Sequence, residues 1–182
     1  MFKIFSKNSI VILFIAVLFF SCKTDIKKIN ELDVKHLPSQ KAKNITILRT
    51  DSSITKAKIF APEVEHFFSL KNPYTNFPKG LEATSYKKYP VIESSLSCQK
   101  AKHMINEKLW IVENKVVVVN DIGYKLETEL LYWDEEKRRI YTDKDVRITT
   151  ENEIIWGKGL TADQDFKDYE ITEPVGSIYI DE

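Results

Sequence analysis

Residues of this chain with reactive side chains are few and scattered. Three histidines, His36, His66 and His103, stand far apart with no H-x-x-x-H spacing, and the two cysteines, Cys22 and Cys98, form no C-x-x-C pair. Neither a tetrahedral zinc site nor a paired-histidine metal centre is therefore expected. There is no G-x-S-x-G turn to expose a nucleophilic serine, and five glycines in 182 residues leave no loop to cradle phosphate. His36 falls in a polar stretch, while His66 and His103 fall in stretches that read as solvated loops. The densest charge cluster is Asp134-Glu135-Glu136, followed at once by Lys137-Arg138-Arg139. Carboxylates acting as an acid and base pair need environments that separate their pKa values. A run carrying both signs of charge between two alternating segments is instead the composition of a solvated hairpin turn. No catalytic residue, metal or cofactor is expected.

These side chains must be positioned by a chain of 182 residues, 43 % hydrophobic and 12 % aromatic, enough for one domain with a real core. Its 27 basic and 27 acidic side chains sum to zero formal charge. No surplus of cations is available to displace counterions from a phosphate backbone, so nucleic acid is not an expected partner. At the N-terminus, Lys3 and Lys7 precede an unbroken apolar run from Ile10 to Phe20. That run is short against the about 20 residues a membrane-spanning helix needs, and it is laid out like a secretory signal. It continues into Ser21-Cys22, and the stretch from Leu18 to Cys22 resembles the lipobox of bacterial lipoproteins, whose cysteine is acylated and becomes the new N-terminus. Residues 1–21 are thus expected to be a lipoprotein signal peptide and Cys22 the lipidation site, with more than one acyl chain needed for stable anchoring. Residues 22–45 are polar and lysine-rich, a tether whose Lys23, Lys27 and Lys28 suit anionic lipid headgroups. With Cys22 acylated, Cys98 has no disulfide partner and reads as a small buried apolar residue.

From Ile45 the hydrophobic pattern switches to period two, and no later window carries a helical stripe, so residues 46–182 are expected to form an all-β domain. Ile45 and Ile47 alternate with polar neighbours, the run from Ile54 to Phe60 does the same, and Pro62 is expected to end it. The stretch from Leu70 to Tyr86 reads as turns, because of Pro73, Pro78 and Gly80. From Pro90 onward almost every segment reads as a short strand. Patterns recur about 30 residues on, which is the signature of one supersecondary unit stacked on copies of itself: Val116-x-Val118 returns as Val146-x-Ile148, and Leu109-Trp110 as Ile140-Tyr141. Gly157 and Gly159 are suited to a bend or a close backbone approach. Strict alternation puts Leu126, Thr128, Leu130 and Tyr132 on one face. Stacked strands with one apolar face must either seal against each other as a core or part to leave an apolar trough. On these residues alone both remain open.

The segment from Trp110 to Phe166 resembles the LptC family of lipopolysaccharide-export proteins. The match is carried by V-x-V at Val116, L-x-T-x-x-L-x-W-D from Leu126 to Asp134, T-x-x-x-V-x-I from Thr142 and G-x-G-L-x-A-D from Gly157 to Asp163. Phe77-Pro78-Lys79-Gly80-Leu81 opens the second half of the domain, and a weaker similarity runs from Ile45 to Ile180. The resemblance implies a periplasmic, antiparallel β-jelly roll open like a taco. Its trough would hold the acyl chains of lipopolysaccharide as the molecule passes from an inner-membrane ABC transporter to an LptA-like bridge protein. Strand parity then makes Val116, Val118, Leu126, Leu130, Tyr132, Ile140, Val146, Ile148 and Leu160 the expected lining. Many members of the family carry an N-terminal transmembrane helix, in whose place this chain has Cys22. The expected location is the periplasmic side of the inner membrane, with the outer membrane as the alternative. A structural or adhesive β-sandwich lipoprotein with a sealed core is the rival to this expectation.

Overall fold

The computed structural model describes residues 37–179, which hold eleven strands and no helix. These are β1 (Gln40–Asp51), β2 (Ile54–Phe67), β3 (Tyr74–Phe77), β4 (Leu81–Lys88), β5 (Val91–Cys98), β6 (Lys100–Met104), β7 (Leu109–Asn120), β8 (Lys125–Asp134), β9 (Arg139–Thr149), β10 (Glu153–Asp163) and β11 (Tyr169–Tyr179). All belong to one antiparallel sheet. β3 and β4 lie end to end along β2, facing Glu65 to Phe67 and Ala57 to Phe60. β6 and β5 lie end to end along β7 in the same way. The sheet is therefore a meander of long rungs, β1, β2, β3 with β4, β5 with β6, then β7 to β11, each pairing with its neighbours in sequence.

Every rung is bent near its middle. The ladder opens at Asn44 opposite Pro62, between Glu113 and Val116, between Thr128 and Tyr132, and between Lys158 and Leu160. Left-handed backbone marks the same line, with φ of 51° at Asn44, 74° at Gly80, 63° at Asn114, 51° at Lys115 and 74° at Gly159. At Gly80 a side chain would run into the Cys98 carbonyl, and at Gly159 one would sit 2.9 Å from Thr172 Oγ1. Glycine at these points allows a close approach that no other residue permits. The bends fold each rung so that its two halves face each other across an apolar interior.

That interior closes around Val64, Phe77, Val112, Val116, Leu126, Leu131, Ile148, Leu160 and Phe166, each 0–2 % exposed. Burying a Val, Leu, Ile or Phe side chain contributes roughly 1.5–3 kcal/mol, enough to outweigh the strain at the bends. The period of about 30 residues corresponds to one pair of antiparallel rungs, which is why Val116-x-Val118 on β7 and Val146-x-Ile148 on β9 occupy equivalent inward positions.

Several expectations need correction. β2 does not end at Pro62 but runs through it, because Pro62 sits at the bend, where the ladder is open and its missing N–H costs nothing. The supposed turn region from Leu70 contains β3 and most of β4. The last residues assigned to the tether, Gln40 to Ile45, belong to β1. They pair with β2 from His66 to Ala61, and their polarity reflects an edge strand facing water. Strict alternation also fails in β8, which crosses the bend with one residue fewer than its partners: three residues separate Thr128 from Tyr132 where four separate Tyr141 from Val146 on β9, so the inward set of β8 shifts by one. Leu131 is fully buried, whereas Leu130 lies opposite Glu113 and Tyr132 stacks on Tyr141 at 5.1 Å on the outer surface. Replacing Leu131 by alanine is expected to lower unfolding free energy by about 2–5 kcal/mol in urea titrations, and Leu130→Ala by clearly less. Equal losses would place both side chains inside and contradict the one-residue shift.

Candidate functional site

Two cross-strand rows line the interior. One runs from Ile47 through Ile59, Ala83, Leu96, Val118, Leu126 and Ile148 to Ile155. The facing row on the other half of the rungs runs from Phe77 through Ala101 and Val112 to Leu131. Exposure changes along the first row. Ile47 is 37 % exposed, Ile59, Ala83 and Leu96 are half-buried, and Val118, Leu126 and Ile148 fall to 0–5 % before Ile155 becomes half-buried again. The apolar channel is open at the β1 end and sealed through β7, β8 and β9.

Of the expected lining, Val116, Val118, Leu126, Ile140, Val146, Ile148 and Leu160 all face this interior and are 0–5 % exposed. Leu130 and Tyr132 do not, for the reason given above. Gly157 and Gly159 fit their expected roles: Gly157 abuts the Ile171 side chain on β11, and Gly159 supplies the bend. Cys22 and the signal segment lie outside the described residues. Cys98 is half-buried beside Leu81, and its burial pushes the thiol pKa up, away from reactive thiolate.

The acidic cluster is a turn. Asp134 Oδ1 accepts hydrogen bonds from the backbone N–H of Glu136 at 3.1 Å and of Lys137 at 2.9 Å, while its Oδ2 accepts from Lys137 Nζ at 2.8 Å. The Lys137 ammonium and then these amides hold the Asp134 carboxyl below its usual range. Glu135 turns inward instead and accepts from Trp110 Nε1 at 2.7 Å. Trp110 is the centre of an aromatic stack, with His103 at 4.4 Å, Phe77 at 5.6 Å and Trp133 at 6.2 Å. His103 Nε2 and Trp133 Nε1 are buried without a hydrogen-bond partner in the protein, His103 Nε2 lying 3.7 Å from Glu135. The two histidines read as loop residues are both in strands, His66 on β2 bonded to Thr75 Oγ1 at 2.9 Å and His103 on β6. Sequence reasoning missed this aromatic cluster. Its signal was the pairing of two tryptophans across one hairpin, hidden by the one-residue shift in β8 that turns Trp133 inward.

Among the described residues no group of three or more His, Cys, Asp or Glu side chains is placed to hold a metal ion, and no helix is long and apolar enough to cross a membrane. The fold and site together define an all-β protein of the jelly-roll kind, a single bent antiparallel sheet around an apolar interior. More particularly, the chain belongs to the LptC family, described as lipopolysaccharide-assembly, LptC-related, whose family model matches residues 9–179. A search of curated proteins finds no significant match. Family membership assigns the chain to lipopolysaccharide transport, as a periplasmic component associated with the inner membrane rather than a member of an enzyme family.

Burial lowers the His103 pKa from 6.5, with Glu135 opposing the shift. The unfolded chain therefore takes up a proton more readily than the folded one as pH falls below 6.5. His103's contribution to stability is present above that pH and is lost as pH falls toward the lowered folded value. Urea midpoints measured at successive pH values are expected to drop over this interval in the wild type and to drop less in His103→Phe. Identical slopes would show that His103 is solvated in the folded state.

Proposed function

We propose that the bent sheet holds the lipid A acyl chains of lipopolysaccharide in its interior and passes the molecule from the inner-membrane ABC transporter to an LptA-like bridge protein. The observation that carries this is the continuity of the apolar row from rung to rung, from Ile47 on β1 to Ile155 on β10, in a sheet whose outer edges on β1 and β11 pair with no other described strand. Each methylene kept from water is worth about 0.8 kcal/mol, so several acyl chains crossing an aqueous space require a continuous cover. Unpaired edges invite strand addition by like-folded partners. β11 displays Val175 at 80 %, Ile178 at 60 % and Tyr179 at 74 % exposure. Because β1 is the strand next in sequence to the proposed anchor at Cys22, its edge is the membrane-side one, and the β11 edge is the one offered to the bridge protein.

The near-complete burial of Leu126 and Ile148 also suits the rival, a structural β-sandwich lipoprotein with a sealed core. A photo-crosslinking amino acid separates the two. In place of Ile148 it is expected to capture lipopolysaccharide in cells, and in place of Leu130, on the outer face, it is expected to capture none. Depletion of the protein should block delivery of lipopolysaccharide to the cell surface, whereas loss of a structural lipoprotein should not. No adducts at any inward position, at normal expression, would rule out the trough.

The anchor is tested separately by metabolic labelling with an alkyne fatty acid. Wild type is expected to incorporate the label. Cys22→Ala should lose it and retain the higher mass of an unprocessed precursor. Label persisting in Cys22→Ala would refute the lipobox assignment.

A further inference from the structure

The bends send every turn of the meander to one of two rims, which face each other across the open side of the interior. The β2–β3, β6–β7, β8–β9 and β10–β11 connections lie on one rim, and the β1–β2, β4–β5, β7–β8 and β9–β10 connections on the other. The β10–β11 connection, residues 164–168, reaches across. Its Phe166 is 0 % exposed, although Gln164, Asp165, Lys167 and Asp168 around it are polar and at least partly exposed. Phe166 adopts a left-handed φ of 51° and stacks on Tyr169 at 5.4 Å. On the opposite rim, Asn120 at the end of β7 donates from Nδ2 to the Phe166 carbonyl at 2.7 Å. Asn120 is itself fixed, since its Oδ1 accepts from the N–H groups of Ile122 at 3.1 Å and Tyr124 at 2.9 Å. Lys167 Nζ approaches Glu93 Oε1, also on the far rim, at 3.8 Å.

We propose that residues 164–168 are a clasp over the mouth of the apolar interior, with Phe166 as its plug and Asn120 as its latch, and that acyl chains enter and leave by displacing it. This rests on the interior being the lipid site proposed above. The clasp is built to move as a unit. Asp163 Oδ1 accepts from the N–H groups of Lys167 at 2.7 Å and Asp168 at 3.1 Å, which holds the loop's shape from its own side. Among the described residues, its hold on the far rim is one side-chain hydrogen bond, one partly exposed ion pair and one buried ring. Parting neighbouring rungs would instead break a run of backbone ladder bonds.

The test uses the full chain in detergent, with p-benzoyl-phenylalanine in place of Ile148, incubated with purified lipopolysaccharide and illuminated over a time course. Phe166→Ala and Asn120→Ala are expected to raise the initial rate of adduct formation several-fold. Lys167→Glu, which reverses the exposed pair without touching buried groups, is expected to raise it less. Phe68→Ala, an exposed aromatic on the same rim as the clasp, should leave the rate unchanged. Adducts forming at the wild-type rate in Phe166→Ala and Lys167→Glu would overturn the clasp while leaving the trough intact. If Phe166→Ala does not fold, as judged by thermal unfolding, Lys167→Glu decides alone. Absence of adducts from every chain, wild type included, would remove the trough and the clasp's role with it.

Discussion

A rung of ten or more residues with one apolar face has to cover that face, and this sheet does so by folding each rung onto itself. The bend at a common level is the constraint on which the remaining structure depends. It requires left-handed backbone at Asn44, Gly80, Asn114, Lys115 and Gly159, at roughly 1–2 kcal/mol for each non-glycine residue. It also opens the ladder along the whole line, and the freed groups find other partners. Gln99 N–H donates to the Asn114 carbonyl at 3.0 Å, Lys115 N–H to Glu129 Oε2 at 3.3 Å, and Thr128 Oγ1 to the Asp145 carbonyl at 2.9 Å. Buried Glu63 belongs to the same economy near the fold line, with Lys41 at 2.6 Å and Lys79 at 3.1 Å holding its carboxyl below the usual range.

The bend also decides what the sequence discloses. Period-two alternation identifies the all-β class and the inward residues of half-rungs, because within a half-rung nothing disturbs the pleat. In β7 and β9 the inward residues keep the same parity across the bend, Val112 to Val116 and Thr142 to Val146, so both halves are legible. In β8 and β10 the inward set shifts by one, Thr128 to Leu131 and Gly157 to Leu160. Leu130 and Tyr132 were misplaced for that reason. In β10 the shift is marked by composition at Gly157-Lys158-Gly159, whereas in β8 it falls within Glu129-Leu130-Leu131, which carries no Gly, Pro or Asn. Pro62 and the Gln40 to Ile45 segment carry local signals, a helix- and strand-breaking ring and a polar composition, that strand pairing overrides. Phe166 was legible only as a lone aromatic in a polar turn, a pattern that gives no direction for the ring.

A sealed interior and a lipid trough are not opposed properties in this architecture. The groups that close the middle of the channel are aliphatic, and under the proposed function an acyl chain lying among Val118, Leu126 and Ile148 would exchange one set of hydrocarbon contacts for another, with little change in exposed apolar area. What resists such an exchange in an ordinary core is the hydrogen-bonded backbone that encloses it. Here the ladder runs along each half-rung on either side of the bend line, and among the described residues the contacts that tie one rim to the other are side-chain ones at Asn120 and Lys167. A bent meander with ladder bonds between neighbouring half-rungs and side-chain ties between its rims can part at the mouth without losing sheet structure. For a protein that belongs to a lipopolysaccharide-transport family, that mechanical asymmetry is the property on which the proposed transfer depends.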